Sequence, residues 1–235
     1  MKLLLFDIDG TLLSCGGAGR AALTQAVEEV YKADKIMEKV RLAGGTDYGI
    51  FDAIFQEHFG RLPSDVQEIQ MGLERYLELL PLHLARSDYA FKVLPGAEKA
   101  IRRLAKEPDY LLGIATGNVE RGAKAKLERA RLWEYFQLGG YGSDSKLRSG
   151  LVAKAIERAT EFTDQKGFDR ISKNDIFVIG DTEFDIRSAH EVGVKSIGVR
   201  VGSSHVDDMI REKPSFLVES FEDDHFWQAI GLDHA

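Results

Sequence analysis

Leu3-Leu4-Leu5-Phe6-Asp7-Ile8-Asp9-Gly10-Thr11 opens the chain with an apolar run that delivers two carboxylates two residues apart. In an extended segment residues i and i+2 face the same way, so Asp7 and Asp9 share a face. Gly10-Thr11 then marks the place where the backbone must turn sharply. Two like charges crowded at a strand exit need a counter-charge. A hard cation such as Mg²⁺, which takes oxygens from one or two carboxylates and keeps several waters, meets that need.

The same pattern recurs further along. Ile176-Phe177-Val178-Ile179 ends in Gly180-Asp181-Thr182-Glu183-Phe184-Asp185, and Tyr110-Leu111-Leu112-Gly113-Ile114-Ala115 ends in Thr116-Gly117-Asn118. An isolated Asp-x-Asp often does no more than cap a helix or face water. Several apolar strands that carry acids at their carboxyl ends, however, make the geometry of a site on a parallel sheet. The hydroxyl and free backbone N–H at 116–117, just before a helix, suit a phosphate oxygen.

Strand-like runs at 3–6, 110–115, 176–180, 194–199 and 216–218 alternate with helical patterns, which predicts a parallel sheet with helices on both faces. Ala97, Ala100, Ile101 and Leu104 have amphipathic-helix spacing, and Val119 to Arg131 and Glu183 to Val192 read likewise. Residues from about 15 to 85 break the alternation. They hold helix-like segments at Ala21 to Tyr31, Tyr48 to Phe59 and Ser64 to Leu80 but no strand, far more than the roughly 10–12 residues a crossover needs. The expectation is a core made of residues 1–14 and 86–235 with an inserted helical unit at 15–85, joined through the glycine-rich 14–19 segment and through 86–89.

The 235 residues, 44% hydrophobic, suffice for a real core, and a net charge of −7 with no local basic cluster leaves no footprint for nucleic acid. The single Cys15 excludes an intrachain disulfide and a cysteine-built metal site. His58, His83, His190, His205 and His225 lack ligand spacing. One lysine and four apolar residues before Asp7 are too few for a signal peptide, and no stretch approaches the roughly 20 apolar residues of a membrane span. A cytoplasmic protein without membrane or nucleic-acid partners, monomeric or weakly homodimeric, is expected.

With these motifs in this order and separation, the chain resembles the haloacid dehalogenase-like superfamily, and within it phosphatases of the phosphoglycolate phosphatase type. Asp7-Ile8-Asp9-Gly10-Thr11 resembles the family's first motif, Thr116 its second, and Gly180-Asp181-Thr182 with Asp185 its acidic fourth. The resemblance spans nearly the whole chain. It implies a doubly wound, Rossmann-like α/β core with an inserted helical cap, and a Mg²⁺-dependent phosphatase that acts on a small phosphomonoester through an aspartyl-phosphate. A phosphomutase and a non-catalytic phosphate-binding module are the alternatives.

On that reading Asp7 is the nucleophile, since a carboxylate can attack phosphorus and split one hard hydrolysis into two displacements. Asp9 is the general acid/base; the superfamily's dehalogenases, which release halide, lack an acid there. Thr116 and the Gly117 N–H would bind the transferring phosphoryl oxygens, with Asn118 beside them. Thr116 could equally cap the following helix. Asp7, Asp9 (by its carbonyl) and Asp181 are the expected metal contacts, and Asp185 serves either as a ligand through water or as a supporting partner. The third motif, a basic residue normally followed by proline, has no proline here. Ser143-Asp144-Ser145-Lys146-Leu147-Arg148-Ser149-Gly150 offers both Lys146 and Arg148, and Arg148, nearer the helix start and able to hold two oxygens, is favoured. Within the inserted unit, Arg41-Leu42-Ala43-Gly44-Gly45-Thr46-Asp47 reads either as a helix-to-helix turn with Thr46 or Asp47 capping, or as a specificity loop in which Arg41 meets a substrate anion.

Overall fold

The computed structural model describes residues 1–40, 42, 44–203 and 206–233. Arg41, Ala43 and His205, which figure in the sequence reading, lie outside the described residues.

The run that opens the chain is β1 (Lys2–Phe6), followed by a two-residue strand β2 (Leu13–Ser14). Three helices come next: α1 (Ala18–Tyr31), α2 (Asp47–Phe59) and α3 (Val66–Leu84). Another two-residue strand, β3 (Lys92–Val93), pairs antiparallel with β2, so the chain leaves for the helical insertion and returns from it side by side. Thereafter strand and helix alternate: α4 (Ala97–Leu104), β4 (Tyr110–Ala115), α5 (Glu120–Arg129), β5 (Leu138–Gly140), α6 (Arg148–Lys166), β6 (Ile176–Gly180), α7 (Glu183–Val192), β7 (Lys195–Val199), α8 (Val206–Arg211), β8 (Phe216–Val218) and α9 (Asp224–Ile230).

Six of the strands form one parallel sheet in the order β5-β4-β1-β6-β7-β8. The first strand is therefore central, and Leu3, Leu4, Leu5 and Phe6 are all fully buried, as expected for a strand covered on both faces. Alternation along the strands sorts the two faces. Leu4, Phe6, Leu112, Ile114, Phe177 and Ile179 join a cluster with Ala97, Ala100, Ile101 and Leu104 of α4, Ala123 and Leu127 of α5, and Phe226 and Ile230 of α9. Leu3, Leu5, Leu111, Ile176 and Val178 join the other, against Leu151, Val152, Ala155 and Ala159 of α6 and Ala189 of α7. This is the doubly wound α/β arrangement with its helical insertion that the alternation of apolar runs predicts.

The helices of the insertion pack on one another and join the first of these clusters. Tyr31 of α1 meets Phe51 and Phe55 of α2 edge-on, with ring centroids 6.3 and 5.1 Å apart. The stripe Ile69, Leu73, Leu77, Leu80 and Leu84 of α3 is buried. Asp65 caps α3 by accepting from Gln67 N and Glu68 N, and Thr46 caps α2 by accepting from Gly49 N. The sequence reading ends the third helical segment at Leu80, and Pro81 follows. In the structure α3 continues to Leu84, since one lost backbone bond in the final turn is offset by burying Leu84. The edge strand β5 and the pair β2–β3 are too short and too glycine-rich or polar to register as apolar runs.

The stripe of α4 is a direct test of this packing. Ile101→Ala, at a fully buried position, should lower unfolding stability by about 2–5 kcal/mol in urea titration, whereas Lys99→Ala on the exposed face should change it by no more than about 0.5 kcal/mol.

Candidate active site

The three central strands end level with one another. Phe6 is in register with Ile114 on one side and Ile179 on the other, so the residues just beyond each strand meet above the same edge of the sheet. Asp7 follows β1, Thr116 follows β4 and Asp181 follows β6, as expected at the carboxyl ends of an open parallel sheet. Asp7 donates its backbone N–H to the Ile179 carbonyl at 2.9 Å, which carries the ladder one residue past the strand.

Asp7, Asp181 and Asp185 are all buried, and each offers an oxygen within 4.8 Å of the others. Burial lifts the Asp7 carboxyl to about 6, with the charges of Asp185 and Asp9 adding to it and Arg148 opposing. Burial, then Asp185 and Asp7, push Asp181 well above the ordinary carboxylate range. Gly10 is what allows the close approach of Asp181. It has φ +83°, and a Cβ there would stand 2.3 Å from Asp181 Oδ2, so any other residue would be strained and would displace that carboxylate. Thr11 Oγ1 donates to Asp181 Oδ1 at 2.9 Å.

Arg148, the first residue of α6, is the cation within this cluster. Its side chain is 9% exposed and lies 3.2 Å from Asp7 Oδ1, donates to Asp185 Oδ1, and donates to the Gly44 carbonyl at 3.3 Å. Burial works against its charge, yet Asp185 and Asp7 hold the guanidinium firmly protonated. Asp185 has little capacity to spare. Its Oδ2 accepts from Thr182 N at 3.0 Å and Thr182 Oγ1 at 2.6 Å in the capping box of α7, while Oδ1 faces Arg148. Lys146 points elsewhere and donates to Asp52 Oδ2 of α2 at 2.6 Å, with its side chain 54% exposed.

On the opposite side of Asp7, Thr116 Oγ1 accepts from Asn118 Nδ2 at 2.9 Å. Thr116 is not the cap of the following helix; Val119 holds that position, and its N–H donates at 2.8 Å to Asp47 Oδ2 of α2. The Asp47 N–H donates in turn to the Gly117 carbonyl at 2.8 Å. Gly117 and Gly45 are so close that a Cβ on Gly117 would sit 2.1 Å from the Gly45 carbonyl oxygen. In the Arg41–Asp47 stretch Thr46 therefore caps α2, while Asp47 reaches across to the main sheet.

Sequence reasoning missed Lys126. Its side chain is 7% exposed, and Nζ donates to Asp9 Oδ2 at 2.5 Å and to Asn118 Oδ1 at 2.7 Å. Asn118 Nδ2 donates to the same Asp9 Oδ2 at 2.9 Å. Burial alone would raise the Asp9 carboxyl, but the Lys126 ammonium, with hydrogen bonds from Lys126, Asn118 and Cys15, holds it below its ordinary value. The signal was present in the sequence: Ala123, Lys126, Leu127 and Ala130 form the inward stripe of α5, and a lysine on such a stripe must find a buried partner.

A cavity of about 370 Å³ opens above these groups, walled on the insertion side by Arg20, Leu23, Leu42, Ile50 and Tyr76. Carboxylates on one side, a hydroxyl and turn amides on the other, and one guanidinium between them can bind a phosphoryl group and offer it a carboxylate nucleophile. Three buried carboxylates against a single guanidinium also fit a divalent cation, which Asp7 and Asp181 have oxygens free to hold.

A parallel sheet with acids at the exits of its central strands and a helical insertion over them defines a class of hydrolytic enzymes. The family model of the haloacid dehalogenase-like hydrolases matches residues 4–199, and the chain belongs to that family. It is 25% identical over 242 residues to the protein named "Probable phosphatase IndB" of Dickeya dadantii (strain 3937), covering 99% of this chain and 94% of that one. It is 24% identical to a phosphoglycolate phosphatase of Pseudomonas fluorescens (strain Pf0-1), covering 93% of this chain and 76% of the relative. Its fold matches the crystal structure of a hydrolase from Pseudomonas syringae with a TM-score of 0.68 at 19% identity, covering 99% and 100% of the two chains.

Because a divalent cation relieves the repulsion between Asp7 and Asp181, adding one should raise the thermal midpoint. At about a hundred times Kd the gain is about 2.7 kcal/mol. Asp181→Asn should abolish most of the rise in differential scanning calorimetry.

Proposed function

We propose that the chain, a phosphatase of this family, hydrolyses a small phosphomonoester with the help of Mg²⁺ and through an aspartyl-phosphate on Asp7. The observation that carries the reading is the setting of Asp7: Arg148 at 3.2 Å and Asp181 beside it, with Thr116 and Gly117 at the next strand exit. Asp7 and Asp181 would hold the metal, which supplies positive charge to the phosphoryl oxygens and keeps Asp7 ionised.

An Asp7 oxygen attacks phosphorus while the ester oxygen departs with the bonding pair, and Asp9, protonated from solvent once the substrate has bound, gives that oxygen the proton it needs. Thr116 Oγ1, the Gly117 N–H and the Arg148 guanidinium bind the equatorial oxygens as charge spreads over them. The alcohol leaves, Asp9 takes a proton from water, and the resulting attack on phosphorus returns Asp7 and releases phosphate. Asp185 holds the Arg148 fork in place. Residues 15–85 form the cap, whose walls limit the substrate to something that fits a cavity of about 370 Å³. Among the described residues no helix is long and apolar enough to cross a membrane.

A panel of phosphomonoesters incubated with purified protein and Mg²⁺ tests the reading by release of inorganic phosphate. Chelation should abolish turnover and Mg²⁺ restore it, while Ca²⁺, with its looser coordination, should bind without supporting it. Isomerised sugar phosphate in place of free phosphate would indicate a mutase. Asp7→Asn should leave less than about a hundredth of the activity. Arg148→Ala should lower kcat by about 10²-fold or more, and Lys146→Ala, on the far side at Asp52, by less than about tenfold. The reverse ranking would shift the basic group to Lys146.

A further inference from the structure

Lys126 spends a buried charge on one carboxylate oxygen. Its Nζ lies 2.5 Å from Asp9 Oδ2 and 2.7 Å from Asn118 Oδ1, and both partners belong to the site. An ammonium that leaves water loses several kcal/mol of hydration unless its hydrogen bonds replace that hydration well. A methionine or leucine would fill the same inward position on α5 without this cost, so packing does not account for the lysine.

The arrangement is directional. A lysine only donates, and Asp9 Oδ2 accepts from it whether or not Oδ1 carries a proton, so the amide between them can face one way alone, with Oδ1 toward Lys126 and Nδ2 toward Asp9. Lys126 and Asn118 thereby bring two N–H donors to the same oxygen, Asp9 Oδ2. Asp9 Oδ1 receives no nitrogen donor among the described residues and has only Cys15 Sγ, at 3.5 Å. The Asp9 side chain is 42% exposed and lines the cavity.

We propose that Lys126 is the positioning residue of the proton-transfer group: with Asn118 it pins Asp9 Oδ2 and fixes the carboxylate so that Oδ1 is the oxygen that exchanges protons with the leaving group and with water. The inference rests on the phosphatase reading above. Without Lys126 one of the two pins is gone, the carboxylate turns more freely about its last bond, and the geometry needed for proton transfer is less often met.

The consequence falls selectively on substrates that need the proton. An alkoxide is too basic to depart unprotonated, whereas p-nitrophenolate is a stable anion that leaves without help. kcat/KM reports the steps through formation of the aspartyl-phosphate, where the leaving group departs. Lys126→Met keeps the apolar stem and removes the donor. It should lower kcat/KM about 10²-fold on an alkyl phosphate that the enzyme accepts and less than about tenfold on p-nitrophenyl phosphate, with inhibition by inorganic phosphate within about threefold of wild type.

Equal losses on the two esters would mean that Lys126 serves the fold alone, and would overturn the proposal. Should the methionine variant fail to fold, Lys126→Gln, which keeps a polar end too short to reach Asp9, carries the same comparison. A wild-type protein that releases phosphate from neither ester with Mg²⁺ would instead overturn the phosphatase reading itself, and the role of Lys126 with it.

Discussion

Three buried carboxylates with oxygens within 4.8 Å of one another, faced by one guanidinium, impose the condition that the surrounding structure meets. Such a cluster survives folding only if its hydrogen bonds are satisfied and its charge is offset. Each acid is accordingly tied down separately. Asp7 is held by the ladder bond to Ile179, Asp181 by Thr11, and Asp185 by the start of α7 together with Arg148. The hydrophobic sheet below is the platform: β1 is central and covered on both faces.

Around that cluster the charges are sorted into two groups. Arg148 serves Asp7 and Asp185, and Lys126 serves Asp9. The two acids of the opening motif therefore sit in contrasting fields although they are two residues apart. Burial and like charges raise the Asp7 carboxyl, whereas Lys126 holds the Asp9 carboxyl below its ordinary value. Neighbouring carboxylates whose environments push them in opposite directions are the usual sign of divided chemical labour.

Much of this was legible in the sequence, for identifiable reasons. The runs 110–115 and 176–180 coincide with β4 and β6, because buried parallel strands are nearly continuous apolar runs. The positions of Asp7, Thr116 and Asp181 then follow from strand exits alone. What was not legible depended on contacts across the fold. β5 contains Gly139 and Gly140, and a Cβ on Gly140 would sit 1.8 Å from the Leu151 carbonyl oxygen, so that strand is shaped by the helix it must admit rather than by propensity. Lys146 and Arg148, two apart, would share a face in extended chain. The helix begins at Arg148 instead, and the pair diverges to Asp52 and to Asp7. Lys126 was passed over because its helix reads as amphipathic even with one charge on the wrong side.

Asp47 links the insertion to the β4 side of the site through two hydrogen bonds, one to the Gly117 carbonyl and one from the Val119 N–H. Moving α2 away from the sheet would break both at once and leave the Val119 amide, at the cap of α5, without its acceptor. The loop that carries Thr116 and Gly117 and the helical insertion are thus two ends of one equilibrium. By thermodynamic reciprocity, whatever orders that loop also strengthens the seating of α2, and whatever loosens α2 weakens the grip of the loop to the same extent.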